Sequence, residues 1–221
     1  MGTHQPLTDQ CRYGDDKGAC ENIFSYGFLD ANVTSARAMF LNLDIPDDDP
    51  LRPAKLYVST AAPGLRIFED DGEIGWESEF IWLVVVNEED GLDFRVRQTI
   101  DGKRDIQVFW KEDELDTSKL REYIQADAAR DIFHLRATVL LQNRVESQIS
   151  TLRRTQGMER ESTIRDVPWD LTMRLRSLEL EMLERAMTAL ESQKAQLILS
   201  DTVQRYLGLA DDREDDEVDF S

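Results

Sequence analysis

The residues best suited to chemistry in this chain lie in one stretch near its start, residues 10–30, which read QCRYGDDKGACENIFSYGFLD. Tyr13 and Tyr26 are each followed by a glycine, and Phe28 comes two residues after the second tyrosine. Glycine permits tight turns beside both phenol rings, so this segment can build a pocket with backbone turns and aromatic walls. The alternative is that these rings are ordinary core or rim residues whose hydroxyls are satisfied.

Taken in order, the pieces of this stretch resemble the last motif of SET-domain protein methyltransferases. The matching pieces are Tyr13-Gly14, residues 17–21 (KGACE) and residues 25–28 (SYGF), and the two tyrosines lie 13 positions apart. The nearest group is the Rubisco large-subunit methyltransferase-like group of lysine methyltransferases, which carries an added helical substrate-binding domain. The resemblance implies that Tyr13 is catalytic, standing beside the methyl group being transferred. It also implies that Tyr26 and Phe28 bind the cofactor S-adenosyl-L-methionine, with Phe28 against the adenine.

The implied reaction explains why aromatic residues surround such a site. A methyl group passes from a sulfonium to a lysine ε-amine, which must be neutral and in line with the bond that breaks. A narrow aromatic channel removes water from the lysine and disfavours its charged form, while a tyrosine hydroxyl holds the amine at the required angle. Relatives with a similar frame methylate histidine, so the acceptor residue stays open.

Two cofactor motifs of that family lie upstream of this string and do not occur in the sequence. There is neither a Gly-x-Gly loop nor an Asn-His pair, because the only histidines are His4 and His134. We therefore expect the chain to be the C-terminal part of such an enzyme, to need pairing with a missing N-terminal SET portion, and to transfer little or no methyl alone. The alternative function is a non-catalytic helical protein-interaction module.

The acidic composition limits the choice of partners. A net charge of −19 argues against binding to nucleic acid or to an anionic membrane and suits a lysine-bearing protein substrate, although acidic residues commonly only solvate a surface. No metal is expected, because Cys11 and Cys20 lack companion ligands and the aspartates of residues 44–53 lack EF-hand spacing. The longest apolar run, residues 80–86, is too short to span a bilayer, so the expected location is cytoplasmic or nuclear.

Short elements are predicted in the middle of the chain. Residues 54–60 and 65–69 are typical of strands, with a turn at residues 70–72. Residues 76–86 (WESEFIWLVVV) fit either a buried helix or a strand, and we favour the helix, which Ser78 would cap. A hairpin is predicted from residues 93–99 and 105–110, with its turn at Asp101-Gly102.

Helical periodicity dominates the second half. We predict helices over residues 118–126, 128–156, 169–199 and 200–207, separated by Gly157 and by a polar loop at residues 160–168. The two long helices should pair antiparallel, with a coiled coil between chains as the alternative. His134 lies between apolar neighbours, which favours a packed helix histidine over a catalytic base.

Together these elements predict an α+β fold that is mainly α. Residues 1–43 would be the end of the SET domain, residues 44–210 the helical substrate-binding domain with its hairpin, and residues 211–221 a disordered acidic tail.

Overall fold

The computed structural model describes residues 17–98, 104–160 and 163–209. Tyr13, the turn at Asp101-Gly102 and the acidic tail at residues 211–221 lie outside these ranges, so the predictions made for them stay predictions. The predicted fold class is confirmed, because the described chain is α+β and mainly α, with two small antiparallel sheets and two long helices.

The first sheet pairs residues 38–42 with residues 64–77. Its three strands have the order β1-β2-β3 and are β1 (Ala38–Asn42), β2 (Gly64–Asp70) and β3 (Glu73–Glu77). The predicted strand and turn are both confirmed here, since β2 contains residues 65–69 and the β2–β3 turn carries Asp71 and Gly72 at positive φ. Ahead of the sheet lies α1 (Ala19–Tyr26), which ends at Gly27 in the left-handed region with φ of 75°.

The second sheet contains the predicted hairpin. Its strands, in the order β4-β5-β6, are β4 (Leu92–Gln98), β5 (Arg104–Trp110) and β6 (Asp113–Leu115). Both predicted hairpin strands are confirmed within the described residues, and they pair antiparallel with Leu92 opposite Trp110.

One predicted strand is wrong. Residues 54–60 begin inside a helix, α2 (Arg52–Val58), because Pro53 occupies the first turn of α2, where a missing N–H costs nothing. The second reason is Lys55, whose fully buried ammonium lies 2.6 Å from the carboxylate of Asp49. Strand propensity takes no account of such a contact, and the strand prediction rested on Tyr57 and Val58.

The apolar segment at residues 76–86 divides between two elements. Trp76 belongs to β3, and only the second half forms the predicted helix, α3 (Phe80–Val85). All six residues of α3 are buried, which explains why its sequence shows no amphipathic period. The Ser78 hydroxyl accepts the Ile81 N–H at 3.1 Å and donates to the Gly64 carbonyl at 2.7 Å, so it supports the start of α3 from β2.

The helical half follows the prediction closely. It contains α4 (Leu120–Ala126), α5 (Arg130–Arg154), α6 (Asp166–Ile198) and α7 (Asp201–Tyr206). The helices α5 and α6 pair antiparallel: Arg176 of α6 donates to the Leu152 carbonyl near the end of α5, whereas Ser200, beyond α6, donates to Asp131 at the start of α5. The predicted loop at residues 160–168 is shorter than expected, because α6 begins at Asp166 and tolerates Pro168 in its first turn.

A single cluster of buried apolar side chains connects these layers. It includes Leu41 of β1, the residues of α3, Leu141 of α5 and Leu183 of α6. The division into domains at residues 43 and 44 stays a prediction. Within the described ranges, no helix is long and apolar enough to cross a membrane.

Candidate functional site

Two of the three predicted site residues lie side by side at the end of α1. The rings of Tyr26 and Phe28 have centroids 6.3 Å apart and planes tilted by 45°. Gly27 makes this possible, because its left-handed backbone turns the chain between the two rings and its N–H closes the helix on the Ile23 carbonyl. Tyr13 is not among the described residues, so its position relative to this pair stays a prediction.

A cation lies beside the Tyr26 phenol. The Lys17 ammonium donates to the Tyr26 hydroxyl oxygen at 3.5 Å and lies 5.0 Å from the centre of the ring. Tyr26 is 40% exposed and Phe28 is 48% exposed, so each presents part of a ring to solvent. An exposed pair of adjacent rings is suited to contact with a flat aromatic group such as a purine.

A groove of about 710 Å³ runs along β1 between α1 and the long helices, and we call it the acidic groove. The side chains that matter for its chemistry are those of Cys20, Glu21, Phe24, Phe40, Arg66 and Glu179. Neither Tyr26 nor Phe28 lines it, so the residues predicted to contact the cofactor, at the end of α1 and just beyond it, are separate from this groove.

Glu179 of α6 is a partly buried carboxyl group in the acidic groove. Burial raises the pKa of its carboxyl, and the nearby Arg176 offsets only part of that effect. The pKa of the Cys20 thiol is raised first by partial burial and then by the charges of Glu179 and Glu21. Arg66 does not neutralise these carboxylates, because its guanidinium pairs with Glu77 at 2.9 Å.

His134 packs into the helical core, as the sequence favoured. Its ring meets Trp82 of α3 edge-on, with centroids 5.0 Å apart, and burial lowers the pKa of the imidazole. An imidazole held neutral against an indole is a packing residue.

Sequence reasoning missed Glu179 as a residue of the groove. It lies in the run LELEML, where alternate carboxylates are typical of the solvated side of a helix, and its partial burial depends on elements distant in the chain, among them α1, β1 and α5. Among the described residues, no three His, Cys, Asp or Glu side chains converge in a way that would hold a metal ion.

The chain is similar to a SET-domain protein of fission yeast. Over 148 residues, 63% of this chain, it is 30% identical to "SET domain-containing protein 8" of Schizosaccharomyces pombe. The chain spans about a third of the length of that relative, 33%. No family model and no solved structure matches the chain. This similarity supports a SET-domain family, as the string of motifs in residues 10–30 indicated.

Proposed function

We propose that this chain is part of an S-adenosyl-L-methionine-dependent protein-lysine N-methyltransferase of the Rubisco large-subunit methyltransferase-like group. The observation that carries the proposal is the placement of Tyr26 and Phe28 side by side across the Gly27 turn, in a chain 30% identical to a SET domain-containing protein. The order of Tyr13, Tyr26 and Phe28 in the sequence supports the same function.

The described residues fit one part of the cofactor. The half-exposed ring of Phe28 would contact the adenine, and Tyr26 would form the adjoining wall. When bound, S-adenosyl-L-methionine supplies an electrophilic methyl group on its sulfonium. Tyr13 would accept a hydrogen bond from the lysine amine or donate one to it, fixing its direction, and the aromatic rings would exclude water so that the amine stays neutral.

The organisation that goes with this function has three parts. Residues 1–43 would complete a SET domain, residues 44–210 would hold the protein substrate, and a preceding SET portion would supply the other cofactor contacts. Since the sequence has no Gly-x-Gly loop and no Asn-His pair, we expect the 221-residue chain alone to transfer little or no methyl.

Transfer of tritiated methyl groups to a protein pool tests this function. Two proteins should be assayed: the 221-residue chain alone, and an extended protein that also includes any coding sequence lying in frame upstream of it. The extended protein should label lysine, and Tyr13→Phe in that protein should lower kcat by at least about tenfold with its fold unchanged. Tyr57→Phe is the control, because Tyr57 is an exposed tyrosine of α2. An extended protein that labels no lysine would disprove the assignment.

The alternative is a non-catalytic protein-interaction module. Two exposed phenylalanines, Phe24 at 93% and Phe40 at 74%, border the acidic groove, and exposed aromatic rings beside a groove are typical of interaction surfaces. An upstream coding sequence with Gly-x-Gly and Asn-His motifs would favour the enzyme, and an upstream sequence without them would favour the module.

A further inference from the structure

The backbone of β1 has one open edge. Among the strands that the structure describes, β1 lies at the end of its sheet and pairs with β2 alone. The Glu69 N–H bonds to the Arg37 carbonyl at 2.8 Å and the Leu43 N–H to the Pro63 carbonyl at 3.1 Å, so residues 37 and 43 belong to hydrogen-bonded pairs with β2. Bonded and non-bonded pairs alternate along an antiparallel ladder. Residues 39 and 41 therefore bond to β2, and residues 38, 40 and 42 direct their backbone groups away from it.

Both ends of this edge are covered. Gly18 packs so tightly on the first strand residue that a Cβ at position 18 would lie 2.2 Å from the Ala38 carbonyl oxygen. At the other end, the Arg144 guanidinium donates to the Asn42 carbonyl at 2.8 Å. Between them, no group in the described ranges hydrogen-bonds to the N–H or C=O of Phe40 or to the N–H of Asn42. The middle of β1 thus offers two donors and one acceptor to an added strand.

The acidic groove lies along this open segment. Its volume of about 710 Å³ falls within the usual range for a ligand site, and residues 38–41 line it. Phe24 and Phe40 stand at its rim with most of their surface in water. Covering these two rings would remove apolar area from water, which favours a partner that contacts them.

The carboxylates in the acidic groove favour a positively charged partner. Glu21 and Glu179 line it, whereas Arg66 is paired with Glu77, and the Arg176 guanidinium donates to the Leu152 carbonyl and to the Thr155 hydroxyl. A cation beside Glu179 meets a partly buried carboxylate, where the electrostatic attraction is stronger than at an open surface. A second copy of this chain carries the same net charge of −19 and is disfavoured as the occupant.

We propose that the open edge of β1 binds an extended, lysine- or arginine-bearing peptide segment of a partner protein as an added strand. The peptide backbone pairs with Phe40 and Asn42, its basic side chain lies against Glu179, and its apolar side chains cover Phe24 and Phe40. This proposal does not depend on methyl transfer, since it uses no cofactor residue.

Fluorescence anisotropy with the 221-residue chain at low ionic strength tests the chemistry. The probe is a labelled hexapeptide in which valine and lysine alternate, compared with the same peptide carrying glutamate in place of lysine. The lysine peptide should bind at least about tenfold more tightly, and Glu179→Gln should weaken it about fivefold. Glu181→Gln is the matched control, because Glu181 is exposed two residues further along α6 and does not line the groove. Equal affinity for the Glu179→Gln and Glu181→Gln variants would overturn the proposal.

Amide hydrogen exchange tests the added strand itself. At saturating peptide, exchange of the Phe40 N–H should slow by about tenfold, while the Met39 and Leu41 amides, already bonded to β2, should not change. Unchanged Met39 protection in the Glu179→Gln variant shows that its sheet is intact. A peptide methylated on its backbone nitrogens should lose binding. Peptide binding without Phe40 protection, or concentration-dependent dimers that protect Phe40 without peptide, would disprove the proposed mode.

Discussion

At the scale of single residues, burial disfavours the charged form of the Glu179 carboxyl group. Its carboxyl faces the acidic groove beside Cys20 and Glu21, and burial raises its pKa above the ordinary value of 4.5. A raised pKa means that the folded chain holds this proton more tightly than the unfolded chain does. The free energy of unfolding therefore falls as pH rises from 4.5 toward the folded pKa of Glu179.

Glu179→Gln should consequently increase the free energy of unfolding at about pH 7 and change it little at about pH 4, where both states keep the proton. Urea unfolding at the two pH values measures the difference. Glu181→Gln provides the comparison, since it removes the same charge from an exposed position of α6. A loss of stability at neutral pH on replacing Glu179 would show that its charge is favourable to the fold.

At the scale of elements, α2 depends on one buried ion pair. Lys55 is fully buried, and its ammonium lies 2.6 Å from Asp49 and 3.4 Å from the Asn87 side-chain oxygen. Asp49 also accepts the Leu51 N–H at 2.8 Å, so the same carboxylate supports the residue before the helix. The pair thus connects the start of α2 with the turn after α3.

Lys55→Met should lower the free energy of unfolding by about 3 kcal/mol, because it leaves the carboxylate of Asp49 buried without its cation. Adding Asp49→Asn should restore part of that loss. Denaturant unfolding of the single and double variants measures both effects, with Lys119→Met as an exposed-lysine control. If Lys55→Met alone leaves the free energy of unfolding unchanged, the Lys55–Asp49 ion pair does not stabilise α2.

At the scale of the whole molecule, Glu69 joins the first sheet to α6. It accepts the Ser35 hydroxyl and a 2.9 Å bond from Arg185, whose guanidinium also reaches the Gly72 carbonyl at 2.7 Å. The Ser35 hydrogen bond, aided by Arg185 and opposed by burial, lowers the pKa of Glu69 below its ordinary value of 4.5. This contribution to stability is present above that value and is lost as pH falls through the folded pKa.

Glu69→Gln should therefore lower the free energy of unfolding by about 1 kcal/mol at neutral pH and flatten its decline below 4.5. Unfolding by urea across the acid range gives both quantities. Glu73→Gln, an exposed change on the neighbouring strand, should leave the acid decline in place. If the free energy of unfolding of the Glu69→Gln protein falls as steeply below pH 4.5, the acid loss of stability comes from other carboxylates.

Sequence reasoning succeeded where structure is set by near neighbours in the chain. The apolar period of residues 128–156 and 169–199 predicted α5 and α6, and the turn predicted at residues 70–72 joins β2 to β3. Sequence reasoning failed where contacts between residues far apart in the chain determine the local structure. Lys55 and Asp49 turned an expected strand into α2, and the enclosure of Glu179 requires α1, β1 and α6 together.

The contact between residue 18 and β1 also limits which mutations the chain tolerates. A methyl group at that position has no room beside the Ala38 carbonyl, so Gly18→Ala forces the helix carrying Tyr26 to move away from the strand. The absence of a side chain at Gly18 therefore sets the distance between α1, which carries Tyr26, and β1. A mutational library of residues 17–28 should therefore tolerate few substitutions at Gly18.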